Sequence, residues 1–113
     1  MPTTDPIKPS LNILVIGMDA GILQVVLRLL NDYKQANYHA VGATDADQAR
    51  ELFAGGDIDL VLMTNGIDPT LDATLREEFL SRSPGIRILQ HYGGGSGLLF
   101  AEITQAMSGR SPQ

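Results

Sequence analysis

Cysteine is absent from this chain, which excludes disulfides, thiolate metal sites and a cysteine nucleophile. Basic residues are few and scattered: Lys8, Arg28, Lys34, Arg50, Arg76, Arg82, Arg87 and Arg110 are the whole set. With a formal net charge of −5 there is no general attraction to a polyanion, so nucleic acid is not an expected partner. No apolar run approaches the roughly 20 residues of a membrane-spanning helix, so no membrane partner is expected. The two histidines, His39 and His91, have no ligand spacing, and neither a metal nor another cofactor is expected. Residues 1–10 are polar and proline-rich without the apolar core of a secretion signal, and read as a flexible lead-in. The expected location is the cytoplasm.

What remains is an ordinary globular composition, with 43% apolar and 19% charged residues in 113. That length predicts one domain, placed over 11–107, with a polar tail at 108–113. Leu11 to Gly17 is a nearly continuous β-prone run of the kind found in strands covered on both faces. Asp19 then precedes a helical spacing of Ile22, Val25, Val26, Leu29, Leu30 and Tyr33, widened by Leu23 and Leu27 into a mostly buried helix. Tyr38 to Ala43 reads as a second strand, and Thr44 with Asp47 as a capping box. Ala46, Ala49, Leu52 and Phe53 give a second helix its inner face, and Gly55-Gly56 stops it. A third strand follows at Ile58 to Met63. Asp68-Pro69 caps a third helix facing inward through Leu71, Leu75 and Phe79, with Leu80 beside them. A fourth strand from Ile86 to about His91 and a last helix carrying Leu99, Ile103, Ala106 and Met107 complete the alternation. Asp57 and Asp59 read as solvated turn residues, and Glu77 and Glu78 as an exposed helix face.

Four βα units in strict alternation predict a parallel sheet with helices on both faces. Placing the two most apolar strands centrally gives the order 2-1-3-4. Ligands of such sheets gather at the carboxyl ends of the strands, where the loops 17–19, 64–68 and 91–97 converge. The last loop has four glycines among five residues, Gly93 to Gly97, directly before a helical pattern. One reading is a small-anion or phosphate site made of Thr64, Asn65, His91, Gly94, Gly95, Ser96 and Gly97, with backbone N–H groups as donors. It gives the alternative function of a ligand-binding sensor or minor enzyme. The plainer reading, and the preferred one, is a tight turn in which Ser96 caps the last helix and Asn65-Gly66 forms another turn. The glycines match neither a dinucleotide fingerprint nor a P-loop.

The strands Ile13-Leu14-Val15-Ile16 and Asp59-Leu60-Val61-Leu62-Met63, in this order, resemble the receiver domain of two-component response regulators. The resemblance spans about residues 11–92 and implies a flavodoxin-like three-layer α/β sandwich. Every chemical position of that family departs from its pattern here. The acidic pair that holds Mg²⁺ falls on Gly17 and Met18, leaving only Asp19 acidic, and the phospho-acceptor aspartate falls on Thr64. The hydroxyl residue closing strand four falls near Gln90 to Tyr92. The lysine closing strand five has no counterpart, since no lysine follows Lys34. The family's fourth helix and fifth strand are also missing from the pattern. Phosphoryl transfer needs a carboxylate nucleophile and hard oxygen ligands for a divalent ion. The resemblance therefore implies a degenerate, non-catalytic receiver-like module without catalytic residues, acting through a protein partner. Loss of the fifth strand would expose strand four as an edge, which predicts a homodimer through strand four and the terminal helix, helped by Leu23, Leu27, Leu98 and Phe100.

Overall fold

The computed structural model describes residues 11–33, 37–55, 57–64 and 67–90, and Ala101, Ile103 and Gln105 of a terminal helix. The proposed lead-in at 1–10 and tail at 108–113 lie outside the described residues. The elements follow as β1 (Leu11–Ile16), α1 (Ala20–Asn31), β2 (Tyr38–Ala43), α2 (Ala46–Gly55), β3 (Leu60–Met63), α3 (Pro69–Arg82) and β4 (Arg87–Gln90). The four strands form one parallel sheet in the order β2-β1-β3-β4.

The central strands are apolar throughout because both of their faces are covered. Ile13 to Ile16 and Leu60 to Met63 are fully buried. Alternation of side chains divides them between two cores. Ile13, Val15, Leu60 and Leu62 pack with Leu23, Val26 and Leu30 of α1 and with Ile103 of the terminal helix. Leu14, Ile16, Val61 and Met63 pack with Ala49 and Phe53 of α2 and Leu75 and Phe79 of α3. Phe53 and Phe79 stack with ring centroids 4.3 Å apart and so tie α2 to α3. Helices thus lie on both faces, giving the flavodoxin-like three-layer arrangement. Each fully buried Val, Leu or Ile contributes about 1.5–3 kcal/mol.

Several local expectations are corrected. The α2 cap is Asp45 rather than Thr44: the Gln48 N–H donates to Asp45 Oδ1 at 2.7 Å, and the Gln48 side chain accepts from the Thr44 N–H at 3.1 Å. β3 starts at Leu60, two residues later than its apolar pattern. Asp59 is not simply solvated. Its carboxylate accepts the Asn12 N–H at 2.9 Å while its own N–H donates to the Asn12 carbonyl at 2.8 Å, closing the start of β1 against β3. Glu78 is no free surface charge either, since it receives two 2.8 Å hydrogen bonds from Arg50 of α2.

Helix α1 is only half-buried, against the expectation of a mostly buried helix. Leu23, Val26 and Leu30 face the sheet, whereas Ile22 and Val25 are 54% and 57% exposed. Leu80 of α3 is likewise exposed. Gly42 of β2 records how closely α1 approaches, because a Cβ there would lie 2.8 Å from Leu27 and 3.0 Å from Leu23. Leu23 is thereby buried inside the domain, and Leu27 packs half-buried against the same core. At the end of α1, Asn31 bonds both backbone groups of Ala40, donating to its carbonyl at 3.1 Å and accepting from its N–H at 3.0 Å. That pair blunts the β2 edge of the sheet.

Candidate functional site

At the carboxyl ends of β1 and β3 the starts of the first and second loops of the expected site meet, at Gly17 and Thr64. β1 ends at Ile16, and Gly17 continues its ladder by donating to the Ala43 carbonyl at 3.0 Å. Thr64 follows β3 and is 4% exposed. Its backbone N–H and its hydroxyl both donate to the Ile16 carbonyl, each at 3.0 Å. The hydroxyl therefore points into the sheet rather than toward solvent. Gly17 lies against it, and a Cβ at that position would be 2.5 Å from Thr64 Oγ1. No side chain fits at position 17 while Thr64 keeps this rotamer. The two positions where the resemblance places a metal ligand and a nucleophile thus hold a glycine and a hydroxyl packed together as structure.

The carboxylates near this end are already engaged. Asp19 Oδ1 accepts from the Ile22 N–H at 3.1 Å and caps α1. Asp68 Oδ2 accepts from Thr70 and Leu71 and caps α3, with Pro69 in its first turn. Both agree with the sequence pattern. Met18 is exposed and offers an apolar surface where the resemblance places an acid. Among the described residues no three His, Cys, Asp or Glu side chains come together in a way that could hold a metal ion.

Sequence reasoning missed a polar chain on the β4 side. Register pairs Met63 with Gln90. The Gln90 amide donates to the Met63 carbonyl at 3.1 Å and the Thr64 carbonyl at 3.4 Å, and its oxygen accepts from Arg76 Nη2 at 3.0 Å. Arg76 is also paired with Asp72 one turn earlier on α3. The i,i+4 spacing of Asp72 and Arg76 was a readable signal; the reach from α3 to β4 was not. This chain satisfies the last carbonyls of β3 from the side and fixes the backbone that carries Thr64.

Of the anion set, only Thr64 belongs to the described residues. Asn65, His91, Gly94, Gly95, Ser96 and Gly97 lie outside them, as do Leu98 and Phe100.

Away from this end, the amino-terminal rim of the sheet holds two clefts. One, of about 350 Å³, is lined by Asn12, His39, Val41, Glu51, Leu52 and Ile58, among others. The other, of about 330 Å³, lies between Asp59 and the turn that leads through Ser83 to Arg87. Among the described residues, no helix is long and apolar enough to cross a membrane.

No protein-family model and no curated protein matches the chain. Solved structures do match it. The signal receiver domain of an HD domain-containing protein from Pseudomonas fluorescens aligns with a TM-score of 0.65 and 23% identity, over 90% of this chain and 98% of that one. A pilus assembly-related protein from Burkholderia pseudomallei aligns with a TM-score of 0.51 and 26% identity, over 85% of this chain and 72% of that one. The chain has a receiver-like fold.

Proposed function

We propose that this chain is a non-catalytic receiver-like signalling module that acts through protein–protein contacts and is not phosphorylated at Thr64. The observation that carries the reading is the packing of Thr64 on Gly17. A hydroxyl donating to the Ile16 carbonyl is held away from an incoming phosphoryl group, and among the described residues no side-chain base is bonded to it. Gly17 and Met18 supply no carboxylate to neutralise the transferred charge. The exposed apolar side chains of Met18, Ile22 and Val25 beside that end suit a contact surface better than a reaction site. A second copy of the chain belongs to the same proposal, pairing through β4 and the terminal helix.

Incubation with acetyl phosphate and Mg²⁺ followed by intact-mass measurement tests the reading. The expected product is the unmodified chain. Stoichiometric addition of phosphate would overturn it, whether as the hydroxylamine-labile acyl phosphate of a carboxylate or as the hydroxylamine-stable ester of Thr64.

A further inference from the structure

The cleft at the amino-terminal rim has a simple structural origin. In a parallel βα unit the helix runs back along the strand it follows, so α2 returns from the carboxyl end of β2 toward its start. Its 10 residues cover about 15 Å, while the 6 residues of β2 extend about 20 Å. α2 stops before it covers the start of the strand. His39 and Val41 remain exposed on the face that Ala43, two residues further on, buries against α2. The uncovered strand, the last turn of α2 and the segment leading into β3 enclose the cleft of about 350 Å³.

Its chemistry is one-sided. Val41, Leu52 and Ile58 supply apolar surface. Glu51 and Asp57 supply two exposed carboxylates. The negative end of the α2 dipole faces the same place, and no basic residue stands in the last turn of α2 to offset it. None of the lining side chains is a lysine or arginine. Asn12 is already engaged, its amide donating to the Asp57 carbonyl at 2.9 Å, so the 57–59 wall is held in place from β1.

We propose that this cleft receives an arginine side chain from a partner polypeptide. An arginine stem is apolar enough to lie on Val41, Leu52 and Ile58, and its guanidinium fork carries five donors for carboxylates and helix-end carbonyls. Guanidinium is also more weakly hydrated than ammonium, so it gives up less on entering a half-apolar cleft. The site lies at the opposite end of the sheet from Thr64, and the proposal does not depend on the phosphorylation reading.

The test is a backbone-amide NMR titration of the full chain with acetyl-Gly-Arg-Gly-amide, compared with the same peptide carrying citrulline, the neutral isostere of arginine. The arginine peptide is expected to shift the amides of Val41, Leu52, Gly55 and Ile58 saturably, with a Kd on the order of millimolar. The citrulline peptide is expected to leave them in place. In a Glu51→Gln, Asp57→Asn double variant, whose two sites are exposed and leave the core intact, binding is expected to weaken about three- to tenfold. Equal response to both peptides, shifts that never saturate, or unchanged affinity in the double variant would each overturn the proposal.

Discussion

The hydroxyl of Thr64 occupies the space that a Cβ on Gly17 would need, at 2.5 Å from its position, and is held there by the Ile16 carbonyl. Adding that Cβ forces either the Thr64 rotamer or the end of β1 to move. Gly17→Ala is therefore expected to destabilise the domain by about 1–3 kcal/mol. Thr64→Ala loses one hydrogen bond and is expected to cost about 1 kcal/mol, because the Ile16 carbonyl keeps the Thr64 N–H. The double variant should be more stable than the sum of the two losses predicts, since alanine at 64 removes the obstructing oxygen. Urea unfolding of the four proteins checks this, and strict additivity would show that the two residues are not coupled.

Restoring an acceptor carboxylate alone should not restore acceptor chemistry. Thr64→Asp leaves Gly17 and Met18 without a carboxylate for a divalent ion. It also places a charged group at a 4% exposed position, with the Ile16 carbonyl where a donor would be needed. The variant is expected to lose about 1–3 kcal/mol of stability and to keep its unmodified mass after treatment with acetyl phosphate and Mg²⁺. Mass spectrometry and urea unfolding read the two outcomes separately.

How much of this was legible beforehand depends on the range over which each feature is set. The sheet order followed from two four-residue apolar runs, Ile13–Ile16 and Leu60–Met63, since only doubly covered strands are apolar at every position. The helix starts at Asp19 and Asp68 were legible because a cap bonds within its own turn. The α2 cap was misplaced by one residue because Thr44, Asp45, Asp47 and Gln48 offer overlapping cap patterns, and only geometry chooses Asp45 with Gln48. Asp59, Glu78 and Gln90 were missed for a different reason: their partners are 47, 28 and 27 residues away along the chain. The residue types at the receiver-type positions, Gly17, Met18 and Thr64, were legible in the sequence itself. That Thr64 fills the space over Gly17 was not, because it depends on a rotamer. The amino-terminal cleft was equally hidden, as it arises from a helix shorter than its strand.

The Arg50–Glu78 pair gives stability a defined pH dependence. The hydrogen bonds from Arg50 hold the Glu78 carboxyl below its ordinary value, helped by the nearby charges of Arg50 and Arg82 and opposed by partial burial. A carboxyl depressed in the folded state contributes fully above its unfolded value, and loses that contribution as pH falls through the folded value. Arg50 is itself raised by Glu78, further above the accessible range, and adds no titration there. Glu78→Gln is therefore expected to be less stable than the parent near pH 7 and to converge with it as pH falls through the depressed folded-state value of Glu78. Thermal midpoints across that range check the sign; a gap that widens on acidification would contradict it.

The terminal helix should be essential to the core on the α1 side. Ile103 is fully buried among Ile13, Val15, Leu23, Val26, Leu30, Leu60 and Leu62. Ile103→Ala is expected to cost about 2–5 kcal/mol, by lost burial and the cavity left behind. Ala101→Ser and Gln105→Ala, at exposed positions of the same helix, should stay within about 0.5 kcal/mol of the parent. Chemical denaturation separates the two classes, and an Ile103→Ala variant as stable as the exposed ones would show that this helix does not hold the sheet.

The proposed dimer rests on an asymmetry between the sheet's two edges. Asn31 satisfies both backbone groups of Ala40 on the β2 side, so that edge is blunted from within the chain. Among the described residues β4 is the outer strand on the other side, and Gln90, its last residue, turns its side chain back onto β3. With Leu23 buried in the α1 core and Leu27 half-buried beside it, the proposed self-contact rests mainly on β4 and the terminal helix. Sedimentation equilibrium at micromolar concentration is expected to give twice the 12.1 kDa chain mass. Hydrogen exchange should show amides of Arg87 to Gln90 becoming more protected as concentration rises, because strand pairing engages their backbone groups directly. A monomer mass at every concentration would remove the dimer. A dimer in which protection rises along α1 and not along β4 would instead assign the contact to the exposed Ile22 and Val25.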